Sequence, residues 1–320
     1  MKTKRSDFIM KRKNLTVEQA TKKFLKTTKS TVRESTFANY TFTCERHIIP
    51  YFKDKEITKL KGEHINEFMQ SKLKNGGLDG KPLSPKTVND MVSILQKIIK
   101  EYSNTNITVK KISCPKQEVN IFTKTECKKL NSYVSIGTDS KKLGVVIIML
   151  TGIRIGEMCA LKWEDINLDN GIISITKTLQ RIKITGNTKK RKTKIIITDP
   201  KTPTSIRQIP IPSNLLNRLR EWEFPTNGDT YVLTNTRKYI EPRIFQKYFK
   251  KCLQTCEVKD NNVHSLRHTF ATTAVSNGVD NKTLSIFLGH SDVSFTMNQY
   301  VHPDMEHKRV QIEKIALNFE

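Results

Sequence analysis

The stretch "HSLRHTFAT" at residues 264–272 places two histidines around an arginine in what reads as a helix. His264 and Arg267 are three apart and His264 and His268 four apart, so all three share one side of a helix. Leu266 and Phe270 supply the apolar grip. A guanidinium and an imidazole aimed at one point suit an anion such as a phosphate. A solvated basic face is the plain alternative, and the stretch alone does not separate the two.

Charge and size narrow the choice. The chain has 320 residues, enough for two domains with separate cores, and a net charge of +25. Residues 1–120 hold 25 Lys+Arg against 12 Asp+Glu, and residues 121–320 hold 31 against 19. Both halves are therefore cationic, which points to a polyanion, with nucleic acid the leading candidate. No run approaches the ~20 apolar residues that span a bilayer. The basic start "MKTKRSDFIMKRKN" lacks the apolar core of a signal peptide, so an intracellular, cytoplasmic protein is expected. The six cysteines are scattered, and Cys252 and Cys256 have the i, i+4 spacing of a helix core; neither a disulfide framework nor a zinc site is expected.

The first third reads as helices. Thr16 and Gln19 have capping-box spacing before Val17, Ala20, Phe24 and Leu25, and Thr123 and Glu126 repeat it further on. "ESTFANYTFTCERHIIPYF" carries Phe37, Tyr40, Cys44 and Ile48 on one face, with Pro50 marking its expected end. Pro85 opens another helix after Ser84. Residues 106–121, with little periodicity, read as a linker. "LGVVIIMLTGIRIGEMCALKWEDI" is a buried helix, a glycine break and a new helix start. "GIISITKTLQRIKI", "KTKIIITDP" and "TSIRQIPIP" alternate and are rich in Ile and Thr, so a small antiparallel sheet is expected. Helices return from Ser213 onward.

Three segments now fall into a pattern. "TGIRIGEMCALKWEDI" resembles the first signature box of the tyrosine recombinase (phage integrase) family, TGxRxxE; "HSLRHTFAT" resembles its second, HxLRH; and "LGHSDVSFTMNQYVH" resembles its closing stretch, LGH with a tyrosine ten residues after the His. The resemblance implies a C-shaped clamp on DNA: a basic tail (1–13), a helical core-binding domain (14–105), a linker (106–121) and a mixed α+β, mainly helical catalytic domain with a tail helix (122–320). It also implies Arg154 and Arg267 as catalytic arginines, Glu157 as the acidic support and Lys201 as the hairpin lysine. His264 and His290 would complete the site around Tyr300, the nucleophile. His268 is assigned to packing or support.

The chemistry explains why such a set is needed. A tyrosine attacking a phosphodiester builds negative charge on the non-bridging oxygens, and two arginines can meet it with planar forks of N–H donors. Tyr300, with an ordinary pKa of about 10, needs help in losing its proton, for which His264 is the candidate base. The departing 5′ oxygen needs a proton, the role the resemblance gives Lys201. His264 and His268 also have the spacing of a zinc helix, but Ser265 stands where a metalloprotease needs Glu, and no third ligand follows. No metal, nucleotide or other cofactor is expected.

Residues 177–201 hold nine Lys+Arg and one acid, a basic hairpin suited to a phosphate backbone, with Lys189, Lys190, Arg191, Lys192 and Lys194 as candidate DNA contacts. Hairpins enlarged in this way resemble those of integrases from phages and conjugative transposons. The expected partners are double-stranded DNA sites, other copies of the chain in a tetramer, and an excisionase or host DNA-bending protein, with no membrane. Val310, Ile312, Ile315, Ala316 and Phe319 are candidate tail-helix contacts. A chromosome-dimer or plasmid resolving recombinase, a type IB topoisomerase and a binding-only DNA protein remain as alternatives.

Overall fold

The computed structural model describes residues 15–77, 80–103, 105–115, 119–184, 193–199, 203–222 and 228–290, with 293, 294, 305, 309 and 312 beyond them. By contacts the chain divides between Gln117 and Glu118, and the described ends of the 182–194 segment group with the first unit. That grouping departs from the sequence reading, which kept the whole hairpin with the catalytic domain.

Helical periodicity builds the first unit. Thr16 caps α1 (Val17–Thr28) with the reciprocal bonds its spacing predicts, at 3.2 Å each to Gln19. Next, α2 (Glu34–Thr43) runs into a π turn at Cys44–Ile48 and then α3 (Ile49–Phe52). Pro50 does not end this helix. The wide π turn resets the hydrogen-bond ladder, so Pro50 falls in a first turn where its missing N–H is not needed. Two longer helices follow, α4 (Gly62–Asn75) and α5 (Pro85–Ser103). Ile48, Phe52, Ile65, Phe68, Leu95 and Ile98 fill the core between them. After α5 the chain is extended and straps back along the helix: the Asn89 side chain brackets the Ile112 backbone with bonds of 2.9 and 3.0 Å, and Gln96 holds the Ile107 carbonyl at 3.0 Å.

The second unit starts with α6 (Lys124–Val134), capped by the Thr123–Glu126 box, and α7 (Ser140–Thr151), whose apolar run is buried almost all round. After the short α8 (Ile155–Ala160) come strands β1 (Ile166–Asn167), β2 (Ile172–Ile175), β3 (Thr178–Lys183), β4 (Thr193–Thr198) and β5 (Arg207–Pro210). They form two sheets rather than one: antiparallel β1-β2-β5, and a separate β3-β4 pair. Thr176 and Lys177 belong to no strand, and the chain leaves the first sheet there. The described residues continue with α9 (Ser213–Arg220), α10 (Pro242–Thr255), α11 (His264–Ser276) and α12 (Asn281–Leu288). Cys252 is buried on α10 and Cys256 half-buried just beyond it. Among the described residues no helix is long and apolar enough to cross a membrane.

Gly152 is where the fold sets up the candidate site. It ends α7 with φ +65°, a left-handed conformation that favours glycine. An added Cβ would meet Phe270 at 2.5 Å. Gly152→Ala is expected to lower stability by about 2 kcal/mol, from the left-handed backbone and the displaced ring together. Thermal unfolding checks it; an unchanged midpoint would contradict the tight packing of α7 on α11.

Candidate active site

The left-handed turn at Gly152 redirects the chain so that Arg154 becomes the residue before α8. Glu157, in the first turn of α8, reaches back: its Oε2 accepts the Arg154 amide at 2.8 Å and its Oε1 accepts Arg154 Nη1 at 2.8 Å. This explains locally why the box needs an acid three residues after the arginine. The carboxylate is also gripped from β5, where Arg207 donates from Nη2 to Oε2 at 2.8 Å and from Nη1 to Oε1 at 3.1 Å.

Arg267 enters from α11 and is 1% exposed. It donates to the Gly152 carbonyl at 2.8 Å, to the Leu288 carbonyl at 2.7 Å and to His290 Nε2 at 2.8 Å. Since a guanidinium has only donors, Nε2 is the bare nitrogen of His290 and the ring proton sits on Nδ1. Gly289 ends α12 in the left-handed region, φ +60°, and its carbonyl accepts Arg154 Nη2 at 3.0 Å. Arg154, Glu157, Arg267 and His290, four residues singled out from sequence, are thus linked through one turn.

Their electrostatics follow from crowding. Burial alone would raise the Glu157 carboxyl, but the bonds and charge of Arg207, with the charge of Arg154, outweigh it and hold the group at about 2. Glu157 is therefore ionised at any working pH. Desolvation first, and then Arg267, Arg154 and Arg207, lower His290 to about 3. His264 keeps exposed surface, yet desolvation, followed by His268, Arg267 and Arg154, lowers it to about 4. Its ring stands edge-on to His268 at 4.5 Å, and desolvation lowers His268 too. With these imidazoles neutral, the guanidiniums of Arg154 and Arg207 share the Glu157 carboxylate while Arg267 adds a third positive charge held on carbonyls, so the centre carries an excess of positive charge suited to a phosphodiester. Among the described residues no group of three or more His, Cys, Asp or Glu is placed to hold a metal ion.

Lys201 and Tyr300 lie outside the described residues, as do Lys189, Lys190, Arg191 and Lys192 of the hairpin, and Val310, Ile315, Ala316 and Phe319 of the tail. Ile312 is described and exposed. Lys194 forms an exposed ion pair with Glu34; a pair this open to solvent holds either charge weakly. Sequence reading missed Arg207. The signal was in "TSIRQIPIP", where Ser205, Arg207 and Ile209 face inward while Ile206 is 54% exposed. A strand that turns a charge in and an isoleucine out is aiming that charge at something.

Comparison with known proteins agrees. The model of the phage integrase family matches residues 120–307, and that of the phage integrase N-terminal SAM-like domain matches residues 16–73. A XerC-like tyrosine recombinase of Caldanaerobacter subterraneus subsp. tengcongensis is 30% identical over 312 residues, covering 88% of this chain and 78% of its own. The ICEBs1 integrase of Bacillus subtilis is 26% identical, covering 83% and 73%. The fold is similar to that of the Tn1549 transposon integrase solved with a circular-intermediate DNA, with TM-score 0.74 and 20% identity over 94% of this chain and 99% of that one. The chain belongs to the phage integrase family of tyrosine recombinases, enzymes that cut and rejoin DNA.

Proposed function

We propose that the chain integrates and excises a mobile DNA element by site-specific recombination in the cytoplasm, with Tyr300 as nucleophile. The observation that carries this reading is the convergence of Arg154, Arg267 and His290 on one turn, which gathers two guanidiniums and an imidazole at one place. Tyr300 Oη attacks phosphorus, its proton passing to His264; a 3′-phosphotyrosyl bond forms and the P–O5′ bond breaks. Lys201 gives a proton to the departing 5′ oxygen. A 5′ hydroxyl from the partner duplex then reverses the step, so the bond energy stays in the protein–DNA link and no cofactor is consumed. His264 is suited to its role because it is held neutral, and the charge of a phosphate close by raises its basicity. His290 keeps Nδ1–H as its donor. His268 supports His264 from the next turn of α11. Lys189, Lys190, Arg191, Lys192 and Lys194 add affinity along the backbone, and two pairs of protomers hold the two sites.

Sulfur in the bridging 5′ position tests the acid. A thiolate leaves without a proton, so Lys201→Ala is expected to form the covalent adduct at close to the normal rate on sulfur-substituted DNA. On oxygen DNA the same variant is expected to be slower by roughly 10²–10⁴-fold. The probe is a duplex copied from the ends of the element that carries the gene. Equal loss on both substrates would remove Lys201 from the acid role. Relaxation of supercoiled DNA without exchange between duplexes would favour a topoisomerase, and tight binding with no adduct a binding-only protein.

A further inference from the structure

Arg207 has no place in the three boxes, yet it is the hub of the described site. Its Nε donates to the Phe287 carbonyl at 2.6 Å, its Nη1 to the Ser205 carbonyl and Glu157 Oε1 at 3.1 Å each, and its Nη2 to Glu157 Oε2 at 2.8 Å. The side chains of Arg207 and Glu157 are each only 2% exposed. Those bonds reach three separate parts of the chain. Glu157 leads to Arg154, Phe287 lies on the last turn of α12 before His290, and Ser205 lies four positions after Lys201 in sequence.

A buried ion pair is weak evidence of stabilisation, since removing two charges from water offsets much of their attraction. An apolar pair of similar volume would fill the space as well. What an apolar pair cannot do is fix direction. A guanidinium is planar and rigid, and here it sets the carboxylate and the turn carbonyl at fixed angles to each other. The turn itself is shaped around it: a Cβ on Gly289 would lie 3.0 Å from Arg207 Nη1. Gly289 also receives Arg154, so any shift of Arg207 moves both ends of that contact.

We propose that Arg207 is a positioning residue for strand cleavage, holding Glu157 and the Phe287–His290 turn so that Arg154 and His290 meet one phosphate. The inference rests on the function proposed above. It assigns Arg207 no contact with DNA, and so separates the rate of cleavage from the affinity for DNA.

The test compares wild type, Arg207→Lys, Arg207→Met and the double variant Arg207→Met with Glu157→Met on the same duplex. Single-turnover adduct formation, DNA affinity and thermal unfolding are measured for each. A lysine keeps the charge beside Glu157 but cannot hold the Phe287 carbonyl in the same plane. Arg207→Lys is therefore expected to fold and bind DNA within about threefold of wild type while forming adduct about 10–100-fold more slowly, the effect of a misplacement near 1 Å. Arg207→Met strands a buried carboxylate; if it fails to fold, the double variant, which removes both buried charges and leaves only the part-exposed Arg154 without its carboxylate, takes its place and is expected to be slow at normal affinity. A wild-type rate in Arg207→Lys or in the double variant overturns the inference, because charge balance or mere filling would then suffice. Tyr300→Phe runs beside them. If it still forms adduct, the underlying assignment of the site fails; if it does not and Arg207→Lys is unimpaired, the positioning role alone fails.

Discussion

Tyr300→Phe is expected to abolish the covalent protein–DNA adduct while leaving DNA affinity within error of wild type. The change removes one oxygen, and in the proposed mechanism that oxygen is the atom that bonds to phosphorus. Loss of a covalent nucleophile lowers the rate by roughly 10⁴-fold or more, since the remaining groups stabilise a transition state that can no longer form. Binding draws on other terms. The net charge of +25 is untouched, so the salt dependence set by phosphate contacts should be unchanged as well. Adduct is read by its retarded migration under denaturing conditions, and affinity by retardation under native ones. An adduct in the variant would mean that another side chain attacks, and the spacing of Tyr300 from His290 would then carry no chemical meaning.

The candidate site is legible in the sequence chiefly through the resemblance of three boxes, and local rules account for the placement of some of its positions. Glu157 lies in the first turn of α8, where a carboxylate reaches back to the residue before the helix, and capping geometry alone demands that spacing. Gly152 and Gly289 mark left-handed helix ends that L-residues resist. The opening stretch divides its labour differently from the simple expectation of Arg267 and His264 aimed at one point. Arg267 is buried against carbonyls from two other helix ends, whereas His264 keeps exposed surface and stands edge-on to His268. What stayed hidden depends on contacts distant in sequence. Arg207 lies 50 residues from Glu157, and nothing near either residue announces the pair. The break of the sheet after Ile175 and the grouping of Ile182 with the first unit are likewise decided by tertiary packing, which strand alternation does not encode. Pro50 misled because a π turn is almost invisible in a hydrophobic pattern.

Arg267→Met should produce the second large effect, and its pH dependence identifies the cause. The guanidinium ties α11 to the ends of α7 and α12 and touches His290. Methionine fills part of the volume but leaves two carbonyls without their donor, each costing about 1–3 kcal/mol when buried, so the unfolding midpoint should drop. Adduct formation should fall by roughly 10²–10³-fold, as for loss of one preorganised donor to a developing oxyanion. In wild type, His290 and His264 stay neutral in the folded state down to about 3 and 4, whereas unfolded histidines take up protons below about 6.5. The unfolded state thus binds more protons between these values, and stability must decline as pH falls from 6.5 towards 3. After desolvation, Arg267 is the largest cause of the His290 shift. Its removal lets His290 protonate at higher pH in the folded protein, so the acid decline should be shallower in Arg267→Met than in wild type even though the variant is less stable near neutrality. Unfolding midpoints measured from pH 8 to pH 4 decide the matter. Parallel curves would mean that Arg267 acts on the turn through geometry alone, and that its charge does not reach the imidazole.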